Sequence, residues 1–307
     1  MGLVGVIGIG VVLGGQRQPK IVENKPTVDT IPTPLPTLTP EISLGLVGDL
    51  GLGRHITSTA RTKNNFGWSF VGMSEWLSKN DLNLANLESP ITDPCPEGKT
   101  GTFTFCGDKR FVPVLSEYQW FFNLANNHIF NYGETGYQNT LDELATWAVV
   151  VNSHRQTEEF AVREINGVQL GFLGFDLITY PRYKHETILE KISKYDEQVD
   201  WLVVSIHWGN EYLPKPEAWR VELGHQMVEA GADIIHGHHP HVWQEEEVYR
   251  GRPIFYSLGN FVFDQSWSWE TSHSQVVRLR LTKDKIVEME KLPIEIKFNS
   301  QPWLMTE

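Results

Sequence analysis

Positive charge is scarce in this chain: 26 Lys and Arg stand against 38 Asp and Glu, a formal net charge of -12. That balance excludes a broad nucleic-acid footprint and a polybasic grip on anionic lipid, so any anionic ligand must be held locally. Cysteine is scarcer still. Two residues, Cys95 and Cys106, are too few for a structural zinc site. They lie close together in a segment rich in Pro, Gly and Thr, and a disulfide closing a short loop is the expected reading, which requires an oxidising compartment. Two unrelated buried thiols are the alternative. Long apolar runs are also lacking, because the uncharged stretch Gly2 to Gly15 falls short of the roughly 20 residues that span a bilayer. It reads as the remnant of a signal anchor or secretory segment (residues 1–15), retained or cleaved, against the alternative of a buried glycine-rich strand. No internal repeat is visible.

What is present begins with residues 16–40, polar and punctuated by proline, ending in IPTPLPTLTP. Such a composition favours extended polyproline-like conformations and cannot build a core, so it reads as a linker. An apolar end, a stiff Thr/Pro stalk and a globular region (41–300) are the order expected of an extracytoplasmic protein, membrane-anchored or secreted. With 40% hydrophobic residues the 307-residue chain can bury one large core.

After Glu41 short β-rich apolar runs alternate with helical periods. Strands are expected at Leu44–Val47, Leu82–Leu87, Trp120–Leu124, Ala148–Val151, Val168–Phe175, Trp201–Ile206, Asp233–Ile235 and Pro253–Ser257. Helices are expected at Gly67–Ser78, Gly133–Trp147, His185–Tyr195 and Pro216–Ala230, and a terminal hairpin at Gln275–Leu281 and Ile286–Ile296. The alternation predicts an α/β fold, a layered sandwich with mixed β-sheets flanked by helices.

Polar residues gather just past the strand ends, where function in such sheets collects. Asp49 and Arg54 follow the first strand, Glu88 the second, and Asn126, Asn127 and His128 the third. His207 ends an apolar run, and His236, His238, His239 and His241 crowd into six residues of a chain with eleven histidines. A lone strand-end Asp or His is more often a helix cap or a satisfied core group. Together, two carboxylates, an amide oxygen and several imidazoles form a mixed oxygen and nitrogen ligand set suited to Mn²⁺, Fe or Zn²⁺. The plain alternative for the histidine cluster is a surface loop that responds to pH or binds metal by chance.

The segments GDLGLGR, NLESPIT, LANNHIFNYG, VSIHWGNEY and GHHPHVWQ, followed by YSLGNFVFD, resemble in order and spacing the CapA (poly-γ-glutamate capsule biosynthesis) family, over about Ile42 to Asp264. That resemblance implies the four-layer fold of the calcineurin-like metallophosphoesterases. It implies metal ligation by Asp49, Glu88, Asn127, His207, His238 and His241, with His128 assisting the leaving group; if such a site is catalytic, the neighbouring Arg54 is expected to clamp the anion. Three positions depart from the phosphoesterase pattern: Gly51 stands where a histidine ligand is usual, Glu88 where an Asp bridges, and the His238–His241 pair is spaced by two residues rather than one. One or two divalent ions are therefore expected. The resemblance further implies an acidic polymer or phosphoester substrate and membrane-bound capsule synthase subunits as partners, with no nucleic acid. The site reads as that of a metal-dependent hydrolase, or of a non-catalytic accessory that holds polymer through metal; a scaffold with vestigial histidines is the third reading.

Overall fold

The computed structural model describes residues 40–96, 102–146, 150–152, 160–180 and 185–305. The apolar segment 1–15 and all of the linker but Pro40 lie outside them. No helix among the described residues is long and apolar enough to cross a membrane.

Two sheets face each other. In the first, four parallel strands, Ile42–Leu50, Leu82–Leu87, Trp120–Asn123 and Val150–Asn152, lie side by side. The sheet continues on the other flank through the antiparallel strands His273–Leu281, Ile286–Lys297 and Gln301–Leu304. At its carboxyl end the Ile42–Leu50 strand also pairs in parallel with Asn260–Val262, past a bulge between Leu46 and Asp49. The second sheet orders Glu247–Tyr249, Arg252–Phe255, Ile234–His238, Trp201–His207, Val168–Asp176 and Ala161–Ile165, its four central strands parallel.

Side-chain alternation sorts the core into three apolar layers. Along WLVVSIH, Trp201 and Val203 enter the space between the sheets, where they meet Leu44, Leu46, Leu84 and Phe121. Leu202, Val204 and Ile206 point the opposite way, onto the helices His185–Tyr195 and Ala218–Glu229 through Ile188, Ile192, Leu223 and Met227. The outer face of the first sheet is covered by Ile56 and Ala60 of the helix Arg54–Lys63 and by Tyr137 and Leu144 of Gly133–Thr146. Strands buried on both faces read as continuous apolar runs, and each large side chain so buried contributes about 1.5–3 kcal/mol. The result is the helix–sheet–sheet–helix sandwich expected.

Helix His185–Tyr195 and strand Leu82–Leu87 match expectation, and the terminal hairpin forms with a third strand, Gln301–Leu304, that the sequence pattern does not announce. That strand is four residues long, sits at an edge and carries Pro302, all features that mute a strand signal. The single helix expected over Gly67–Ser78 is instead a short 3₁₀ turn, Trp68–Phe70, and a helical turn, Ser74–Ser78; Gly72 between them lowers helix propensity. Conversely Arg54–Lys63 is helical where the sequence suggests only a loop. Its Thr57, Ser58 and Thr59 are poor helix formers and its N-terminus has no side-chain cap, so burial of Ile56, Thr57 and Ala60 is what holds it.

Cys95 and Cys106 are joined in a disulfide. Arg61 ties the bridged loop to its helix, donating to the Cys95 carbonyl at 2.7 Å and to Asp108 at 2.7 Å.

Candidate metal centre

Parallel register brings the polar strand ends level. Asp49 is opposite Asn86, and Asn86 opposite Asn123, in the first sheet; His238 is opposite His207, and His207 opposite Asp176, in the second. The sheets are locked at this height by His236, whose Nε2 meets the Val47 carbonyl at 2.8 Å. Glu88 follows directly on Leu87, and Asn127 and His128 lie in the loop after Asn123.

The side chains converge. Asp49, Glu88 and His207 offer ligand atoms within 4.8 Å of one another, all three fully buried. Asn127 Oδ1 is 2.9 Å from His207 Nε2. His238 Nδ1 lies 3.1 Å from Asp49 Oδ1, His241 Nδ1 3.1 Å from Asp49 Oδ2, and His241 Nε2 3.4 Å from Glu88 Oε1. His128 Nε2 is 3.9 Å from Glu88 Oε1, with Nδ1 turned to Asn131 at 3.2 Å and Phe105 packed on its ring. All six expected ligands and His128 thus share one end of the sandwich.

Arg54 is placed differently from the anion clamp expected of it. Its guanidinium is nearly buried, paired with Asp264, and donates through Nη1 to the Thr102 carbonyl at 3.0 Å, with Phe105 stacked on it. It pins the bridged loop beside the centre.

Sequence reasoning passed over three contributors, Glu211, Asn86 and Asn260, and gave a fourth, His239, no ligand role of its own. Glu211 joins His239 and His241 in a second group of ligand atoms within 4.8 Å. His239 and His241 are separated by Pro240 alone, so the departure in spacing seen between His238 and His241 does not apply to this pair. Asn86 donates through Nδ2 to Asp49 Oδ1 at 2.9 Å and to Glu88 Oε2 at 3.1 Å, orienting both carboxylates. Asn260 Oδ1 lies 3.0 Å from His241 Nδ1, which leaves Nε2 as the nitrogen that faces Glu88. Glu211, Asn86 and Asn260 sit inside the quoted segments HWGNEY, NLES and LGN, where no local pattern distinguishes them from loop residues; His239 stands in the histidine cluster GHHPHV.

Whether these groups suit a cation is tested by their unmet needs. Asp49 Oδ2, Glu88 Oε1, His238 Nδ1 and His239 Nδ1 are buried without a hydrogen-bond partner. Each such atom costs about 1–3 kcal/mol, and several acceptors clustered together are what a divalent ion satisfies. Backbone strain collects at the same place: His239 (φ 96°), His241 (φ 56°) and Tyr212 (φ 62°) all adopt left-handed conformations. Each costs on the order of 1–3 kcal/mol and persists where surrounding structure imposes it.

Electrostatics agree. Burial alone would raise Asp49, but the His238 and His241 rings, each 3.1 Å from one of its oxygens, hold its carboxyl well below the usual range. Burial pushes Glu88 well above it, and Asp49 reinforces this against the opposing pull of His241. Burial lowers His207 far below its ordinary value, His239 to about 3 and His128 to about 4, so all three are neutral at pH 7 and free to ligate or accept. His241 behaves oppositely: burial would lower it, but Glu88 and Asp49 together raise it to about 9.

A pH dependence follows. Below pH 9 His241 carries a proton that an incoming cation must displace, so uptake releases at least one proton and affinity rises with pH. Between pH 6 and pH 8 the apparent affinity for Mn²⁺ is expected to climb about 100-fold, roughly tenfold per unit. Calorimetric titration at the two pH values checks this, and equal affinities would contradict it.

A profile of the family described as Bacterial capsule synthesis protein PGA_cap matches residues 43–265. Over 274 residues the chain is 32% identical to the PGA biosynthesis protein CapA of Bacillus subtilis (strain 168), covering 83% of this chain and 72% of that one. It is 31% identical over 286 residues to the capsule biosynthesis protein CapA of Bacillus anthracis, covering 85% and 69%. In fold it is similar to the crystal structure of a hypothetical protein from Thermus thermophilus, with a TM-score of 0.55 at 15% identity, over 83% of this chain and 100% of that one.

Proposed function

The chain belongs to the bacterial capsule synthesis family PGA_cap, and from that premise we propose that it serves capsule or poly-γ-glutamate biosynthesis outside the cytoplasm through a metal-dependent, hydrolase-type site. The observation that carries this reading is the convergence of Asp49, Glu88, His207, His239 and His241 with buried donor atoms left unpartnered. Mixed carboxylate, amide and imidazole ligands suit Mn²⁺, Fe or Zn²⁺, and the two ligand groups allow two ions. Asp49, Glu88, His207 and Asn127 would hold one, with His238 against Asp49 Oδ1 as a further ligand, and Glu211, His239 and His241 the other. Bound there, a divalent cation supplies Lewis acidity and a water of lowered pKa.

The remaining residues act on what is bound. His128, neutral at pH 7 with its Nδ1 hydrogen given to Asn131, presents a bare Nε2 that would take a proton from a bound water and pass it to a leaving group. Phe105 screens that ring from water, held in place by Arg54 and by the neighbouring Cys95–Cys106 bridge. The disulfide supports an oxidising compartment, as do the apolar segment 1–15 and the Thr/Pro linker 16–40 ahead of the domain 41–300.

The substrate we propose is an acidic polymer such as poly-γ-glutamate, or a phosphoester. A second reading is polymer holding without cleavage beside membrane-bound synthase subunits; with a net charge of -12 the chain has few cations to spare for a polyanion, so such holding would run through the metal. Chain loaded with Mn²⁺ is expected to turn over phosphoester or γ-glutamyl substrates, and His207→Ala to lower that rate about 100-fold or more, as removal of several kcal/mol of cation assistance requires. Metal retained without turnover overturns the hydrolase. Polymer binding abolished by chelator would then establish the holding role.

A further inference from the structure

Glu211 is a half-buried residue on an irregular loop, yet it meets two histidines on another strand's loop. The segment that carries it is stapled at both ends to the backbone beside those histidines: Trp208 N donates to the His238 carbonyl at 3.1 Å, and Tyr212 N to the Pro240 carbonyl at 2.9 Å. Between the staples, Gly209 (φ 84°) lies directly on a buried guanidinium, since a Cβ there would come within 2.5 Å of Arg220 Nη1.

Arg220 belongs to the helix Ala218–Glu229 and is fully buried. Its Nη2 donates to the Tyr256 carbonyl at 2.6 Å, the same oxygen that takes Trp208 Nε1 at 3.1 Å, and its guanidinium lies 4.8 Å from the Trp208 ring. Its Nη1 pairs with Glu217 at 3.1 Å. The other Glu217 oxygen accepts from Asn210 N at 3.1 Å and Asn210 Nδ2 at 2.9 Å. The guanidinium thus braces Trp208, Gly209 and, through Glu217, Asn210, which are the three residues leading into Glu211.

A well-packed apolar side chain usually serves stability at a buried site as well as an ion pair does or better, so stability alone does not account for this charge. Its Nε lacks a partner, a further cost of keeping it there.

We propose that Arg220 is a positioning residue whose guanidinium, coupled through Glu217, sets the Trp208–Tyr212 loop so that Glu211 completes the second cation site with His239 and His241. The inference rests on the two-cation reading above. Outer partners that orient ligands change metal affinity about 10–100-fold.

The test is Mn²⁺ binding by the full chain, wild type beside Arg220→Met and Glu217→Ala, with thermal midpoints measured on each. The wild type is expected to bind two Mn²⁺ per chain. Both variants are expected to keep the tighter one at wild-type affinity and to weaken the other tenfold or more, with Arg220→Met, which removes the buried charge, the more stable of the two, since Glu217→Ala leaves that charge without its carboxylate. Two ions at wild-type affinities in a folded Glu217→Ala chain overturn the inference. So does equal weakening of both ions, which marks a merely structural role. A wild type that binds a single Mn²⁺ overturns the second-cation assignment itself, an outcome distinct from the other two.

Discussion

Asp49→Asn is expected to give a folded chain that no longer retains divalent metal. The carboxylate is shared: it lies with Glu88 and His207 in one ligand group and 3.1 Å from His241, a member of the other. Neutralising it removes charge from both, so the loss of affinity exceeds the roughly 10–100-fold typical of residues that only orient ligands. Without metal the variant should be somewhat less stable than metal-free wild type, because the ionised carboxylate is favoured in the fold by His238 and His241 and the amide forgoes that. Chelator therefore discriminates the two proteins. The wild type loses the stabilisation that a ligand confers, about 2.7 kcal/mol at 100 times Kd, and its thermal midpoint drops, whereas the variant's midpoint stays still. A variant that still carries stoichiometric metal would contradict the assignment of Asp49.

Gly48→Ala is expected to damage the same site from the backbone. Gly48 lies in the bulge where the Ile42–Leu50 strand shifts register, and a Cβ there would stand 1.8 Å from the Gly259 carbonyl oxygen. No rotamer change relieves a clash between backbones. The strands must separate, which breaks the 2.9 Å bond from Asp49 N to Gly259 O and displaces the Asp49 carboxylate. The cost is about 3 kcal/mol or more, at or above the usual range for overpacking. At roughly 2–4 °C per kcal/mol the melting midpoint falls by about 6–12 °C. Gly224→Ala is the control: it is helical, its Cβ meets only ordinary contacts from 3.5 Å, and it should stabilise slightly. Equal midpoints for Gly48→Ala and wild type would refute the close approach.

What the sequence revealed of the site, and what it concealed, follows from how each residue is presented. Asp49, Glu88, Asn127 and His207 were legible because each ends or follows a continuous apolar run, and parallel strands deliver such ends to one edge. His238 was legible for the same reason, as the last residue of Ile234–His238. His239 carries no such signal because the chain leaves extended geometry there, at φ 96°, and strand alternation no longer predicts direction. Glu211 sits among exposed loop residues and acquires its position only from hydrogen bonds to a histidine loop that is distant in sequence. Arg220 is an arginine on an amphipathic helix, which ordinarily marks a solvated face; its burial depends on the packing of Trp208 and Tyr256. Arg54 shows the converse. Its place after a strand suggested a free cation, but Asp264, 210 residues away, occupies it.

The layered fold was legible from the alternation of strands and helices. Its boundaries failed where tertiary contact overrode local preference, as in the helix Arg54–Lys63, held by Ile56 and Ala60, and in the proline-bearing edge strand Gln301–Leu304.

Elemental analysis of the folded chain, purified without added chelator and compared with an Asp49→Asn, His238→Ala double variant, tests the metal centre most directly. The wild type is expected to carry one to two equivalents of Mn, Fe or Zn and the double variant close to none. A folded wild type without any of these metals, and unable to take them up on refilling, would contradict it.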